Sequence, residues 1–434
     1  MAILLSEGLI VTMLNEEQPQ RGYVGIVNNR IDMVSYDVAD SDAFISKHPE
    51  AEVINCRGRV VMPGLINTHT HVSMTLMRNY ADNKPIQEWL NDYIWVFEAK
   101  QTNDDIVAGA KLGMAEMLLG GTTSIVDMYM TSYNIASAAL EMGIRARMDE
   151  CVIVESHLDS TMDNLSKCRD LTADCSRLSI GIGPHAPYTC TPKMLERTLS
   201  ESEKCNLPIC THLCEGKEER EMIYKQHGLY PVQYLDKYGV ITDHTLLAHS
   251  IHLSDEDIEL IAQRGASVSH SPQSNMKLAS GVARVVDLVR AGVNVTLSTD
   301  GACSNNDLDM WEEMRTALLL QRVTTLDAQA LMPYDVLQMA TVNGAKALGM
   351  EGELGVIKQG ALADVIVVNM TAPHLMPNGN IHSALIFCAK SSDVEHVIVD
   401  GKQLVSNHQL IGVDTIALAK EVVKRKNRIL SELA

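Results

Sequence analysis

His69 and His71 stand two positions apart at the end of the apolar run GLINTHTH. On a strand, residues at that spacing share a face, so both imidazoles can reach one ion. At this histidine content a chain of 434 residues carries about half an H-x-H pair by chance, so the pair needs partners. His212 closes a later run, LPICTHLCE, and Asp300 closes VNVTLSTDGACSNN. Three imidazoles and a carboxylate suit one divalent metal with a position left open for water, zinc first, with iron or manganese as alternatives. Glu215 follows His212 by three residues and is fit to carry protons beside that ion, while Asp300 anchors or deprotonates the water. His249, in HTLLAHSIHL, is placed to bond the attacking oxygen, and His185, in LSIGIGPHAPY, to touch substrate. His252 and His270 read as structural histidines, and Cys214 as a packing residue.

These residues are far apart in the chain, so the elements that carry them must bring them together. Eight strand-like runs recur through its middle: GLINTHTH, TTSIVDMYM, IRARMDECVIV, LSIGIGPHAPY, LPICTHLCE, HTLLAHSIHL, ASVSHSPQSN and VNVTLSTDGACSNN. Amphipathic helical stretches lie between many of them, which predicts an α/β fold, a TIM-type (β/α)8 barrel. DDIVAGAKLGMAEMLLGG ends on glycines, and SDEDIELIAQRGA opens on a serine cap with an acidic first turn, as helices should. Strand C-termini form the active face of such a barrel, and nearly every run here ends in His, Asp or Glu. The flanks differ: short Val- and Ile-rich runs separated by Gly, Asn and Asp predict hairpins, and neither flank suffices for a domain alone. The expected organisation is a small composite β-sandwich from residues 1–62 and 355–434, the latter with a C-terminal helix, around a barrel of residues 63–354.

The formal charge of −19, from 36 basic and 55 acidic residues, argues against nucleic acid or an anionic membrane as partner. No apolar run approaches the length of a membrane span. The opening MAILLSEGLIVTMLNEE lacks the basic stretch and cleavage site of a secretory leader. Ten scattered cysteines without a C-x-x-C pair fit free thiols in a reducing cytoplasm. A small-molecule substrate is expected, and a homo-oligomer, dimer or tetramer.

In order, GLINTHTH, GPHAPYTC, THLCE, LLAHS, SHSPQSNMKLASG and STDGACSNN resemble the metal-dependent deaminase branch of the amidohydrolase superfamily. The chain most resembles the 5'-methylthioadenosine/S-adenosylhomocysteine deaminases, over essentially its whole length. The resemblance implies one metal on His69, His71, His212 and Asp300, protonation of the purine ring by Glu215, and assistance from His249 to the attacking hydroxide. Through IQEWLNDYIWVFEAK it also implies that Glu98 binds the ribose hydroxyls and that Trp89 packs against the 5' substituent. A carboxylate accepting from a diol and an indole offering an apolar platform are both sound chemistry. The expected reaction is hydrolytic deamination of an adenine nucleoside to its inosine analogue plus ammonia.

One stretch departs from the pattern. In GIRARMDECVIVESHLDSTMDNL, Glu150 falls where relatives that hold the charged homocysteine tail carry an arginine, and none follows from 151 to 167. At the 5' end of the pocket Glu150 would repel that tail's carboxylate. Methylthioadenosine, 5'-deoxyadenosine or adenosine are therefore expected over S-adenosylhomocysteine, with Arg145, Arg147 or a neighbouring subunit's arginine as possible replacements. The runner-up is another hydrolase of the branch, a guanine or cytosine deaminase or a triazine chlorohydrolase. A catalytically silent barrel used for assembly is the reading from a different class, and the full set of metal, glutamate and aspartate residues argues against it.

Overall fold

The computed structural model describes residues 1–433. Five strands come first: β1 (Ala2–Ile10), β2 (Gln20–Val27), β3 (Arg30–Ser35), β4 (Glu52–Asn55) and β5 (Arg59–Pro63). The next four are β6 (Leu65–Thr70), β7 (Thr122–Tyr129), β8 (Arg145–Val152) and β9 (Leu178–Pro184). They are followed by β10 (Ile209–Leu213), β11 (Thr245–His249), β12 (Ser267–His270) and β13 (Asn294–Leu297). Each of β6 to β13 falls on one of the eight apolar runs. Four short strands close the series: β14 (Val365–Asn369), β15 (Val394–Val399), β16 (Lys402–Ser406) and β17 (Gln409–Leu410).

Strands β6 to β13 form one eight-stranded sheet in chain order, with parallel neighbours. Helices cover its outside, so these strands are buried on both faces and read as apolar runs rather than as alternating patterns. The ends of the sheet meet across a seam between β6 and the chain just beyond β13. Thr68 Oγ1 donates to Leu297 O (3.0 Å), Asn67 Nδ2 to Thr299 Oγ1 (2.7 Å), and the Asp300 amide to His69 O (3.0 Å). Beneath it, hydroxyls of Thr68, Ser269, Thr296, Ser271 and Ser298 form a buried network at 2.7–2.8 Å. Every member has a partner, as a polar core requires.

Both chain ends build the second sheet, of nine strands in the order β17-β16-β15-β14-β5-β1-β2-β3, with β4 on β1. The halves join where β14 pairs antiparallel with β5. Ile3, Leu5, Ile26, Val61, Val365 and Ile398, drawn from both ends, pack into one apolar cluster there. Arg145, at the start of β8, ties the barrel to this sheet. Its guanidinium forms a two-pronged pair with Asp364 (2.8 and 2.9 Å) and reaches Asp400 at 3.2 Å.

Local signals explain the helix boundaries. Asn103–Leu119 starts on a reciprocal cap between Thr102 and Asp105 and stops at Gly120 and Gly121, the latter at φ +88°. Asp255–Arg264 starts on Ser254 and ends at Gly265 in the left-handed conformation. The last helix, Thr415–Leu433, lies against Asn103–Leu119, burying Val422 and Ile429 and pairing Arg425 and Arg428 with Asp105. Among the described residues no helix is long and apolar enough to cross a membrane. All ten cysteines are free thiols.

Candidate active site

His69 is buried at the end of β6, and His71 follows one residue past that strand. Their rings lie edge to face at 4.8 Å, and the ring of His212, from β10, stands 4.8 Å from His69. The Nε2 atoms of His71 and His212 are 3.2 Å apart. Two nitrogens bound to one tetrahedral zinc are separated by about 3.3 Å. Asp300 Oδ1 lies 3.3 Å from His71 Nε2 and 3.7 Å from His69 Nε2. The opposite ring nitrogens are engaged: His71 Nδ1 with Met128 O (2.5 Å) and His212 Nδ1 with His185 O (2.7 Å). Such bonds fix each imidazole with Nε2 turned inward.

The fit to a metal rests on what is left over. His69 Nε2 and Asp300 Oδ1 are buried without a hydrogen-bond partner, while Asp300 Oδ2 accepts from Ser274 Oγ and Ser304 Oγ, both at 2.7 Å. Orphaned buried polar atoms that converge are costly unless something binds them. His69, His71 and His212 bring ligand atoms within 4.8 Å of one another, as do His69, His249 and Asp300. Burial holds the pKa values of His69, His71 and His212 below the ordinary value, which keeps the neutral, ligating form. Asp300 is depressed: burial alone would raise it, but His249, His71 and His69 outweigh that. The donor set fits a divalent transition metal.

Around this cluster opens a cavity of about 540 Å³, within the range of small-molecule sites. Glu215 lines it, held through its backbone: Glu219 accepts the amides of Cys214 (3.0 Å) and Glu215 (3.2 Å). Burial pushes the Glu215 carboxyl up, against the pull of His249. His249 Nε2 faces Glu215 Oε2 at 3.9 Å, and its Nδ1 meets Asn275 Oδ1 at 2.9 Å. Burial would lower His249, but Glu215, Asp300 and Asn275 outweigh it and the pKa rises. His249 (φ +65°) and Asp300 (φ +61°) sit in left-handed backbone. That conformation costs about 1–3 kcal/mol at a non-glycine residue and concentrates at working sites.

The far wall comes from the segment after β6. Its helical stretch runs Ile86–Glu88, Trp89–Ile94 and Trp95–Glu98, with a wide π-helical middle, and Trp89, Leu90, Ile94 and Glu98 line the cavity. The Tyr129 hydroxyl donates to Glu98 Oε1 at 2.7 Å. Burial lifts the Glu98 pKa to about 7, against the pull of that hydroxyl. His185 lines the cavity too, with Nδ1 at 3.0 Å from Thr189 Oγ1. The fold thus gathers His69, His71, His212, Asp300, Glu215, His249, His185, Trp89 and Glu98 at one end of the barrel.

Glu150 is the exception, and corrects the expectation that it faces the 5' end of the pocket. Alternation along β8 sends Arg145, Arg147, Asp149 and Cys151 to one side and Glu150 to the other. Cys151 lines the cavity; Glu150 turns to the surrounding helices and accepts from the amides of Thr131 (3.3 Å) and Ser132 (2.7 Å) and from Asn164 Nδ2 (3.3 Å). It serves the N-terminus of the helix Ser132–Met142. Neither Arg145 nor Arg147 replaces the missing arginine: the first is committed to Asp364, the second to Asp149. His252 Nε2 bonds Ser280 O, His270 is buried away from the cavity, and Cys214 packs in the core. Sequence reasoning passed over Ser274, Ser304, Asn275 and Glu219. The first and third lie in SHSPQSNMKLASG, whose polar residues were the available signal.

A parallel (β/α)8 barrel with a composite sheet, and a histidine–aspartate cluster at its strand ends, define a barrel enzyme built around a divalent metal. The chain belongs to the amidohydrolase family, whose sequence profile matches residues 60–404. It is 42% identical over 413 residues to a 5'-deoxyadenosine deaminase of Methanothermobacter thermautotrophicus, covering 93% of this chain and 95% of that one. It is 40% identical over 440 residues to a 5-methylthioadenosine/S-adenosylhomocysteine deaminase of Desulfitobacterium hafniense, covering the whole of both. A crystal structure of an adenosine deaminase from Xanthomonas campestris with bound zinc superposes with a TM-score of 0.92 at 33% identity, covering 99% and 98% of the two chains.

Proposed function

We infer that this chain is a metal-dependent aminohydrolase that converts an adenine nucleoside to its inosine analogue and releases ammonia. One observation carries the reading: two buried carboxylates share the cavity with the metal ligands, Asp300 held ionised and Glu215 pushed toward its protonated form. Carboxyls driven apart in this way are the mark of divided base and acid roles. The relatives' names support the nucleoside class.

His69, His71, His212 and Asp300 would hold a divalent cation, which would supply the Lewis acidity that brings a water's pKa toward about 7. Asp300 accepts the water's proton at its carboxylate and aims the oxygen at C6 of the purine. Glu215 donates its proton to N1, which draws electrons away from C6. His249, fixed at Nδ1 by Asn275 Oδ1, turns its Nε2 toward the oxygen added at C6. The amine leaves as ammonia with the proton that Asp300 took, the C6–N bond breaks, and the water oxygen stays on C6 as a carbonyl, its remaining proton returning to Glu215. Glu98 accepts from the ribose hydroxyls, Trp89 covers the 5' side, and His185 meets the base.

Among the described residues no lysine or arginine lines the cavity. An amino-acid carboxylate entering it would lose water without gaining a charged partner. This favours methylthioadenosine, 5'-deoxyadenosine and adenosine over S-adenosylhomocysteine, on the ground of the cavity lining rather than of Glu150. The test is ammonia release by the metal-loaded protein from a panel of purine nucleosides, guanine and cytosine. Turnover of neutral 5' substrates first supports the reading; turnover of free bases alone overturns it.

A further inference from the structure

The segment that brings Trp89 and Glu98 over the cavity is poorly supported by its own backbone. Asn79, Ala81 and Asn83 alternate through left-handed conformations at φ +59°, +58° and +64°. For alanine, whose Cβ crowds the following carbonyl there, that conformation is unfavourable. Something else must hold the segment in register, and the last helix does so at both of its stems. Lys426, half-buried on that helix, donates to Arg78 O at 2.6 Å, at the end of the 3-10 helix Val72–Met77 that follows β6. Arg428, two residues later, donates to Lys100 O at 3.3 Å, where the segment enters the helix Asn103–Leu119. Arg428 and Arg425 are themselves anchored on Asp105, the capping residue of that helix, and Ile429 and Val422 seat the helix in the core. A third cation, Lys277, holds Asp82 at 2.8 Å from the barrel side.

We propose that the C-terminal helix is a positioning element for substrate binding: Lys426 and Arg428 staple the two stems of the segment that carries Trp89 and Glu98. Neither residue touches the cavity. Both act through the carbonyls they hold, and the geometry at stake is that of the nucleoside's sugar and 5' side rather than of the metal end. The kinetic part of this inference rests on the nucleoside reading above. The placement of the segment does not.

The experiment compares metal-loaded wild type with K426M, R428M and K426R. K426M raises KM for a neutral nucleoside about tenfold with kcat within about twofold, the pattern of binding lost equally in ground and transition states. K426R, which can still reach the Arg78 carbonyl, restores it. A second readout needs no turnover. Of the three tryptophans, Trp89 and Trp95 ride on the segment, while Trp311 is 1% exposed in the core. Acrylamide quenching of tryptophan emission therefore rises in K426M and R428M at unchanged metal content. Unchanged KM and quenching in both variants would overturn the proposal, as would a joint fall of kcat, metal content and Tm at constant KM. A wild type inert toward every nucleoside sinks the deaminase reading, and the quenching comparison still decides this one.

Discussion

Glu215 Oε2 stands 3.9 Å from His249 Nε2, and the two groups come from the ends of neighbouring strands, β10 and β11. Each raises or lowers the other's proton affinity: His249 pulls Glu215 down against burial, and Glu215 lifts His249. E215Q keeps the shape and removes the transferable proton. We expect kcat to fall about 10²- to 10⁴-fold, the usual weight of a general acid, with metal content unchanged because Glu215 is outside the ligand set. A variant within a few-fold of wild type would remove Glu215 from proton transfer.

Ser274 and Ser304 both donate to Asp300 Oδ2, leaving Oδ1 free toward the histidines. Replacing both with alanine lets the carboxylate turn and weakens metal binding about 10- to 100-fold, as loss of a ligand's supporting bonds generally does. Competition with a chelator of known affinity measures it. Equal affinity in S274A/S304A would show that the strand end alone orients Asp300.

Glu150 supplies the clearest contrast between a structural and a substrate-binding role. E150A leaves the buried amides of Thr131 and Ser132 without their acceptor, a loss of about 1–3 kcal/mol. Thermal unfolding should report that loss. The ratio of kcat/KM for methylthioadenosine and S-adenosylhomocysteine should stay within about twofold, since no cavity wall changes. A large gain for the charged substrate would return Glu150 to the pocket.

Glu98 should leave a pH signature in stability. Its pKa in the fold, about 7, lies above the ordinary 4.5, so the native state holds that proton more tightly than the unfolded chain. The contribution is complete below 4.5 and is lost as pH rises through about 7. Glutamine imitates the protonated form, so the Tm of E98Q relative to wild type should climb between those values. A flat difference would mean that Glu98 titrates as in water. The ionised form, which accepts from a diol, is thus obtained at the expense of stability.

The barrel and the clustering of histidines with Asp300 were legible because strand C-termini converge in this topology, which makes the last polar residue of each run informative wherever it lies. That logic carried His69, His71, His212, His249 and Asp300. The Glu150 expectation rested on the resemblance instead, and it failed because β8 is buried on both faces, so that a shift of one residue exchanges Cys151 for Glu150 at the cavity. Ser274, Ser304, Asn275 and Glu219 went unread for a different reason. Their work is to bond a neighbour, and serine, asparagine or glutamate in a loop carries no spacing that names the neighbour. The tie between Lys426 and Arg78 joins residues on different domains of the expected organisation, and no local pattern in the sequence points across that distance.

The seam between β6 and the end of β13 has a consequence for assembly of the protein. Elsewhere in the barrel neighbouring strands pair in register, by several residues at every join but β9–β10, which registers only at Ile182 and Ile209. Here the join relies on Thr68, Asn67, Thr299 and a backbone bond from Asp300 to His69. The proposed metal ligands straddle that join, His69 and His71 on one side and Asp300 on the other. Loading them with a cation rivets the first strand to the last, so closing the ring and maturing the site are one event. Chelation should therefore loosen amide protection first along 65–70 and 294–300, well before the rest of the barrel gives way.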